Sequence, residues 1–186
     1  MKIYFIRHAM TKGNLEKRYI GRTDEPLCEE GREQLKALDI PQCDAVVCSP
    51  MKRCMETARI LFPGKEPIIC DDLRECDFGS FEGKNYDELN GSEEYQKWID
   101  SGGRMAFPGG EDPAEFKWRC IDGFEKVMFA LGKCESAAFV VHGGTIMSIL
   151  ERYAVPHRDY YSYLTDNCHG YVCEFDGEKL TEQKKL

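Results

Sequence analysis

Short apolar runs recur along the chain, separated by longer amphipathic stretches. Runs rich in β-branched, aromatic or small apolar residues are typical of strands, and here they cover 2–6, 45–48, 68–70, 137–141 and 171–175. Several are apolar on both faces, which is typical of buried parallel strands. Because these runs alternate with helical patterns, we predict an α/β fold. The expected architecture is a three-layer sandwich with a mainly parallel central sheet and helices on both faces.

The clearest helical pattern follows the second apolar run. Apolar residues recur at intervals of three and four between Met51 and Phe62, which gives this stretch one apolar face. Ser49 and Pro50 suit the N-cap and the first helical position, so we expect the helix to begin there. Arg53 then lies in its first turns, near the end of the preceding strand.

Two further helices and an insertion complete the predicted fold. Asp112-Pro113 is typical of a helix N-terminus, and Gly132 suits the end of the amphipathic stretch that follows. Another helix is predicted at about 145–153, and the free amides at its start form a ready anion site. Residues 76–112 are rich in glycine and aromatic side chains, and we interpret them as a lid over the ligand crevice. The whole chain, 1–186, is therefore predicted to form a single domain.

Composition and charge narrow the class of protein. The 186 residues are 42% hydrophobic and 31% charged, which suits one globular domain with a substantial core. No apolar run approaches the roughly 20 residues that cross a membrane. A net charge of −8 argues against general nucleic-acid binding. The ten cysteines include no C-x-x-C pair, and we interpret them as reduced, mostly buried thiols in a cytoplasmic protein.

Two histidines stand at the ends of predicted strands. His8 follows Arg7 after the first run, while His142 follows the fourth run and precedes two glycines. Because the carboxyl ends of strands open onto the ligand crevice of an α/β sheet, we expect both imidazoles to meet at one site. Arg53 can reach the same crevice. Guanidinium groups match phosphate oxygens and neutral imidazole is a good nucleophile, so this set predicts chemistry on a phosphate.

Charge is distributed unevenly along the acidic chain. Cationic side chains are concentrated in residues 1–22, where Glu16 is the single acidic residue. A local cationic pocket in an acidic protein suits a small anionic substrate, so we expect a small phosphorylated metabolite as the partner. Glu75 and Asp77 follow the third apolar run, where a carboxyl group can supply the proton that a leaving alkoxide needs.

Spaced motifs cover nearly the whole chain. They are Arg7-His8-Ala9-Met10-Thr11 with Asn14; Gly21-Arg22-Thr23-Asp24 with Pro26-Leu27 and Gly31; Ser49-Pro50 with Arg53, Glu56, Thr57 and Ala58; Leu73-Arg74-Glu75 with Phe78-Gly79 and Glu82-Gly83; Phe107-Pro108-Gly109-Gly110-Glu111; and Val141-His142-Gly143. In this order they resemble the histidine phosphatase superfamily, in the branch that includes cofactor-dependent phosphoglycerate mutases and α-ribazole phosphatases.

The resemblance implies roles for individual residues. It makes His8 the nucleophile that becomes phosphorylated and Glu75 the proton donor. Glu82 is the rival carboxylate, for which a structural or lid-positioning role is favoured. The remaining residues that the resemblance places around the phosphoryl group are Arg7, Asn14, Thr23, Arg53, His142 and Gly143. No metal and no cofactor is implied.

Two positions depart from the family pattern. Ala9 stands where the family usually has glycine, and a positive φ there would cost about 1 kcal/mol or somewhat more. Its methyl group is also expected to narrow the pocket. Cys28 stands where the family usually has threonine before a helix, which is expected to remove an N-cap worth roughly 1 kcal/mol.

The predicted function is hydrolysis of a phosphate monoester through a phosphohistidine, with α-ribazole 5′-phosphate as a candidate substrate. Phosphoglycerate mutase and broad-specificity sugar phosphatase are the alternatives within the family. A metallohydrolase would use His8, His142, Glu75 and Asp77 as ligands, but two arginines in the crevice repel a cation. A third hypothesis is a non-catalytic phosphate-binding module, and Ala9 is the one feature that supports it. His157 and His169 are interpreted as loop residues without a role.

Overall fold

The computed structural model describes residues 1–186, apart from the side chain of Glu182. Within the described chain, six strands form one sheet in the order β3-β2-β4-β1-β5-β6. Strands β1 to β4 are mutually parallel, whereas β5 pairs antiparallel with β1, and β6 pairs antiparallel with β5. The predicted mainly parallel α/β sheet is therefore confirmed. The strands are β1 (Lys2–Arg7), β2 (Ala45–Cys48), β3 (Ile68–Ile69), β4 (Ser136–Val141), β5 (Gly170–Phe175) and β6 (Leu180–Lys185).

Helices connect the strands and cover both faces of the sheet. The α-helices are α1 (Lys12–Leu15), α2 (Glu29–Lys36), α3 (Lys52–Leu61), α4 (Tyr86–Leu89), α5 (Glu93–Asp100), α6 (Pro113–Leu131) and α7 (Gly143–Tyr153). Short 3₁₀ turns lie at Asp71–Leu73, Gly79–Phe81 and Tyr160–Tyr163. No helix in the described part of the chain is both long and apolar enough to cross a bilayer.

Alternation along β1 divides the core into two layers. Ile3 and Phe5 pack on one face with α6 and α7, where Phe124 is nearly fully buried. Tyr4 and Ile6 point to the other face and pack with residues of α2 and α3. Because successive strand residues face opposite sides, an apolar run buries both faces at once. This fixes the ends of β1 and β4 between two helical layers.

Two predicted helix starts have different outcomes. At α6 the carboxylate of Asp112 accepts the Ala114 amide at 2.8 Å, with Pro113 as the first helical residue, as predicted. The start predicted for α3 is wrong, because that helix begins at Lys52 and has no side-chain cap. Ser49 lies before the helix and contacts His142 instead.

Cys28 corrects the expected loss of a helix cap. Its thiol donates to the Met10 carbonyl at 3.2 Å, and its sulfur accepts the Gly31 amide at 3.4 Å. The thiol thus occupies the N-cap of α2. Sulfur is a weaker acceptor than a hydroxyl oxygen, so the cap is weaker than that of threonine rather than lost.

The segment 76–112 forms a small aromatic core beside the sheet. Phe81, Tyr95 and Phe107 are buried in it, and the rings of Tyr95 and Trp98 stack with centroids 6.1 Å apart. Aromatic packing of this kind holds a short irregular segment in place without long helices or strands. The segment therefore lies beside the strand ends as a packed unit.

Candidate active site

The two strand-end histidines meet at one edge of the sheet. β1 and β4 are adjacent and parallel, with Arg7 opposite Val141, and the amide of His8 donates to the Val141 carbonyl at 2.9 Å. The next residue of each strand therefore lies at the same edge. The centroids of the His8 and His142 imidazole rings are 5.2 Å apart, the angle between the ring planes is 68°, and both side chains are buried. The predicted meeting of the two imidazoles is confirmed.

A backbone carbonyl sets the tautomer of His8. Its Nδ1 atom lies 2.7 Å from the carbonyl oxygen of Ala9. A carbonyl oxygen can only accept, so Nδ1 carries the proton and Nε2 keeps its lone pair. The ring is thus held in the form in which Nε2 can attack an electrophile.

Both imidazoles are neutral at physiological pH. Burial holds the pKa of His8 well below its ordinary value, assisted by the guanidinium groups of Arg53 and then Arg7. Burial likewise lowers the pKa of His142 well below the ordinary value, with Arg53 as the next cause. Because protonation would remove the nucleophilic lone pair, this electrostatic setting keeps His8 reactive.

Arg53, which is buried, and Arg7, which is half-buried, each have a buried Nε donor without a protein acceptor among the described residues. Arg7 uses Nη1 on the Thr165 carbonyl at 2.7 Å, while Arg53 uses its terminal nitrogens on the carbonyls of Thr23 and Gly21, each at 2.7 Å. Among the described residues neither Nε group has an acceptor. A buried donor without a partner costs about 1–3 kcal/mol, so the pair favours a bound anion.

The loop that Arg53 binds is also held by Glu82. One carboxylate oxygen of Glu82 accepts the amides of Gly21 and Arg22 at 3.0 and 2.8 Å, and the other accepts the Thr23 hydroxyl at 2.7 Å. These contacts are structural and occupy the carboxylate. They also direct the hydroxyl of Thr23, a predicted substrate ligand, to Glu82.

Asn14 is held with one donor group left over. Its Oδ1 accepts the Thr11 amide at 3.1 Å and the amide group of Asn167 at 3.3 Å. Asn167 also donates to the His8 carbonyl at 2.9 Å. With Oδ1 occupied, Nδ2 of Asn14 is the group that can donate to a phosphoryl oxygen. Asn167 was not predicted, because a lone asparagine in a loop carries no distinctive sequence pattern.

The start of α7 borders Arg7 and the proposed acid, Glu75. A methyl group added to Gly143 would lie 3.5 Å from Nε of Arg7, so its backbone is beside that guanidinium. The Gly144 amide donates to Glu75 at 3.2 Å. The expectation of free amides at this helix start is therefore wrong for Gly144, whose amide positions the carboxyl group instead.

Glu75 is half-buried at this junction. Burial raises the pKa of its carboxyl above the ordinary value, against the opposing effects of the Cys76 and Gly144 amides and the charge of Arg7. A raised pKa extends the protonated form toward neutral pH, as a general acid requires. The carboxyl group therefore combines suitable protonation with a place beside the phosphoryl site.

Ser49 is a site residue that sequence reasoning assigned to a helix cap. Its hydroxyl oxygen lies 2.8 Å from Nε2 of His142 and is fully buried. The sulfur of Cys54 lies 3.5 Å from the same nitrogen. A second-sphere hydroxyl of this kind fixes the orientation of an imidazole. The sequence signal that could have identified Ser49 as a site residue is its position directly after the buried strand β2.

Ala9 fits its position without strain. Its φ is not among the positive values of the chain, which outside glycine occur at Lys17 and Cys168. The residue is fully buried, and its amide donates to the Thr57 hydroxyl at 3.0 Å. The free-energy cost that a positive φ would impose on Ala9 therefore does not arise.

The remaining candidates lie outside the group of histidines and arginines. Asp77 accepts the Gly79 amide at 2.8 Å and pairs with Arg22 at 3.3 Å. The side chains of His157 and His169 are exposed. In the described part of the chain, no group of three or more His, Cys, Asp or Glu side chains is arranged to hold a metal ion.

A cleft of about 450 Å³ opens beside Glu75. It is lined by Gly21, Arg22, Met51, Arg74, Glu75, Asp77, Gly109, Gly110, Glu111 and Arg119. Its volume suits a small molecule. Because Glu75 lines this cleft and also accepts the Gly144 amide at the start of α7, the cleft is the candidate place for the group that leaves the phosphate.

Known proteins share both the sequence pattern and the fold. The family model described as Histidine phosphatase superfamily (branch 1) matches residues 3–185. An adenosylcobalamin/alpha-ribazole phosphatase of Salmonella typhimurium is 28% identical, over 82% of this chain and 79% of its own. A 2,3-bisphosphoglycerate-dependent phosphoglycerate mutase 2 of Gloeobacter violaceus is 30% identical, over 80% and 73%.

A solved structure supports the fold. The putative alpha-ribazole-5′-P phosphatase of Escherichia coli has a TM-score of 0.87 at 22% identity, covering 100% of this chain and 95% of that one. The resemblance drawn from the spaced motifs is confirmed, and the chain belongs to the histidine phosphatase superfamily (branch 1).

Proposed function

We propose that this protein hydrolyses phosphate monoesters without a metal, through a phosphohistidine at His8. The observation that carries the proposal is the hydrogen bond from Nδ1 of His8 to the Ala9 carbonyl, which leaves Nε2 unprotonated. Two buried guanidinium Nε donors without a described acceptor supply electrostatic support for the phosphoryl oxygens.

The proposed reaction proceeds in two steps. In the first, the Nε2 lone pair of His8 attacks phosphorus, the bond to the alkoxide oxygen breaks, and the carboxyl group of Glu75 gives its proton to that oxygen. In the second, the carboxylate of Glu75 takes a proton from water, the water oxygen attacks phosphorus, and the phosphorus–nitrogen bond breaks. Orthophosphate leaves, and His8 and Glu75 return to their starting forms.

The charges of the cleft favour a neutral leaving group. Arg22 pairs with Asp77 at 3.3 Å, and Arg119 binds both oxygens of Glu111 at 2.9 and 2.8 Å. Three arginines and three carboxyl groups line the cleft, so it offers no large excess of positive charge to a second phosphate or a carboxylate on the substrate; they are Arg22, Arg74, Arg119, Glu75, Asp77 and Glu111. We therefore propose that the leaving group is a neutral alcohol such as a sugar or nucleoside.

The relatives support two candidate activities on phosphate monoesters. α-Ribazole 5′-phosphate is the candidate substrate, since a relative at 28% identity is an alpha-ribazole phosphatase. Phosphoglycerate mutase is the second candidate, supported by the relative at 30% identity. The paired charges of the cleft favour the first, because a mutase must hold a substrate carboxylate as well as its phosphate.

A substrate comparison tests the proposal. We expect kcat/KM for the monophosphate of a neutral sugar or nucleoside to exceed that for 3-phosphoglycerate by at least about 10-fold, equivalent to about 1.4 kcal/mol. Activity should persist in EDTA and be inhibited by vanadate. Loss of activity in EDTA would contradict the metal-independent mechanism, while faster mutase turnover than hydrolysis would contradict the phosphatase assignment.

A further inference from the structure

Glu75 lies in a stretch with no regular secondary structure. The segment 74–78 lies between the 3₁₀ turns at Asp71–Leu73 and Gly79–Phe81, and no helix or strand holds it. Helices and strands fix a backbone through their own hydrogen bonds, so the position of this carboxyl group depends on contacts from elsewhere in the fold.

The Gly144 amide holds the carboxyl group itself, and Arg119 on α6 supplies several of the contacts to the backbone. One terminal nitrogen, Nη1, donates to the carbonyls of Asp72 and Arg74 at 2.7 and 3.0 Å. The other, Nη2, lies 3.5 Å from the carbonyl of Glu75 itself. A planar guanidinium with five N–H donors can hold several carbonyls in one fixed arrangement, which an ammonium group on a flexible stem cannot reproduce.

Glu111 completes the arrangement from the far end of the lid segment. It accepts both Nε and Nη2 of Arg119, at 2.9 and 2.8 Å, and its second oxygen accepts the Asp77 amide at 3.3 Å. Its own amide donates to the Asp77 carbonyl at 2.9 Å. The backbone on both sides of Glu75 is thus bound to a single ion pair.

Burial makes this pair persistent. The side chains of Arg119 and Glu111 are 22% and 19% exposed, and their contact is bidentate. Exposed ion pairs are worth little because water screens them, but a partly buried bidentate pair has both charge and fixed geometry. Although Arg119 lines the cleft, its guanidinium donors are directed to protein acceptors rather than to the cleft.

We propose that the Arg119–Glu111 ion pair is a positioning device that holds Glu75 where it can protonate the leaving group. This inference rests on the proposed function, since it assigns the pair to the proton-donating half of that reaction. The pair touches neither the phosphoryl group nor the nucleophile. Its loss should therefore affect substrates according to how much their leaving groups need a proton.

The test compares two substrates in Arg119→Lys and Glu111→Gln. We expect each variant to lower kcat/KM, which reports phosphorylation of His8, for an alkyl phosphate such as β-glycerophosphate by about 10-fold to 100-fold, because a misplacement of about 1 Å costs this much. For p-nitrophenyl phosphate, whose leaving group needs little protonation, kcat/KM should stay within about 3-fold of the wild type. Glu111→Gln, which keeps the shape of the side chain, should show the smaller loss.

Arg32→Lys is the matched control. Arg32 pairs with Glu56 at 2.6 Å between α2 and α3, with 39% and 26% of the side chains exposed, and has no contact with the Glu75 segment. This variant should leave the ratio of the two substrates unchanged. Thermal unfolding of every variant measures loss of folded protein separately from loss of rate.

The outcomes separate the two proposals. A fall in kcat/KM that is equal for both substrates, or no fall at all, would overturn the positioning role. If Arg119→Lys does not fold, the same two readings in Glu111→Gln decide the question. If the wild type hydrolyses neither substrate, the proposed function itself fails. If Arg119→Lys or Glu111→Gln shows the same ratio of rates for the two substrates as Glu75→Gln, the positioning role is supported.

Discussion

The two halves of the active site are built in different ways. The phosphoryl half, consisting of Arg7, His8, Arg53 and His142, is attached to strand ends and to the first turns of α3, and the side chains of His8, Arg53 and His142 are buried. The leaving-group half, consisting of Glu75 and the cleft beside it, is attached to irregular backbone held by side-chain hydrogen bonds. Regular structure therefore fixes the proposed nucleophile, whereas individual polar contacts fix the proposed acid.

This difference suggests how reaction and specificity can vary separately. Changing a residue in the phosphoryl half disturbs groups that every monoester needs. Changing the leaving-group half disturbs contacts that depend on the alcohol, so its effects should vary from one substrate to another.

The largest effect is expected from removing the nucleophile. His8→Ala should lower kcat by about 10⁴-fold or more for every monoester, because the covalent route is lost. Steady-state kinetics with p-nitrophenyl phosphate and β-glycerophosphate measure it. His157→Ala, in an exposed loop, is the control and should match the wild type. Retention of normal activity in His8→Ala would refute the mechanism.

Glu75→Gln should separate the halves most clearly. We expect kcat/KM, which reports phosphorylation of His8, to fall by about 10²-fold or more for an alkyl phosphate and to be largely spared for p-nitrophenyl phosphate, since only the alkyl leaving group requires a proton. Glu82→Gln is the comparison, because the Glu82 carboxylate is occupied by the amides of Gly21, Arg22 and Phe78. If the two variants exchange behaviour, Glu82 is the acid and the assignment is wrong.

Arg53→Lys tests the electrostatic support in the phosphoryl half. Lysine keeps the charge but cannot hold the Gly21 and Thr23 carbonyls while also donating from an Nε group. We expect kcat to fall by about 10²-fold on both classes of substrate, by analogy with the loss of an oxyanion donor. A change confined to KM would show that Arg53 binds ground state and transition state equally.

The pH dependence should differ between the halves. The pKa of His8 is held well below its ordinary value by burial and by Arg53, so the acidic limb of kcat/KM for p-nitrophenyl phosphate should lie well below pH 6.5. The raised pKa of Glu75 keeps the acid protonated to higher pH than an exposed carboxyl. Alkyl phosphates should therefore lose rate as pH rises through that pKa, and an identical profile for both substrates would contradict this.

Folding stability has a related dependence on pH. Because the pKa values of His8 and His142 are lowered in the folded state, the unfolded chain binds more protons below about pH 6.5. Their neutral forms thus stabilise the fold above that pH, and this contribution is lost as the pH falls. Denaturant unfolding between pH 5 and 8 measures the slope.

The smallest effect is expected at Ala9. Because its backbone is not in the positive-φ region, a glycine there relieves no strain, and Ala9→Gly should change kcat by less than about 3-fold. Steady-state kinetics and thermal unfolding check both parts of this expectation. A large gain in rate would show that the methyl group obstructs the phosphoryl half.

Sequence patterns predicted the phosphoryl half because its residues follow elements with strong periodicity. His8 and His142 end apolar runs, and parallel strand ends share one edge of a sheet. Arg53 could be placed by the helix that carries it. The error at Ser49 has a simple cause, since Ser-Pro before an amphipathic stretch is a common helix start and its contact with His142 depends on packing across the sheet.

The leaving-group half was much less accessible to prediction. The contacts of Arg119 are mostly to backbone carbonyls of a segment more than forty residues earlier, and no residue type marks a carbonyl as an acceptor. Strand β6 was missed for a different reason: its sequence, LTEQKK, is polar because it forms the edge of the sheet. Polar edges and carbonyl contacts both lack the hydrophobic period on which sequence reasoning depends.

Trapping the phosphoenzyme tests the central claim most directly. Excess enzyme is mixed with a ³²P-labelled monoester, quenched within one turnover under alkaline conditions that preserve phosphohistidine, and digested for peptide mapping. We predict acid-labile label on the peptide that contains His8, and none in His8→Ala. Release of one equivalent of alcohol per enzyme, with no label on that peptide, would contradict the mechanism.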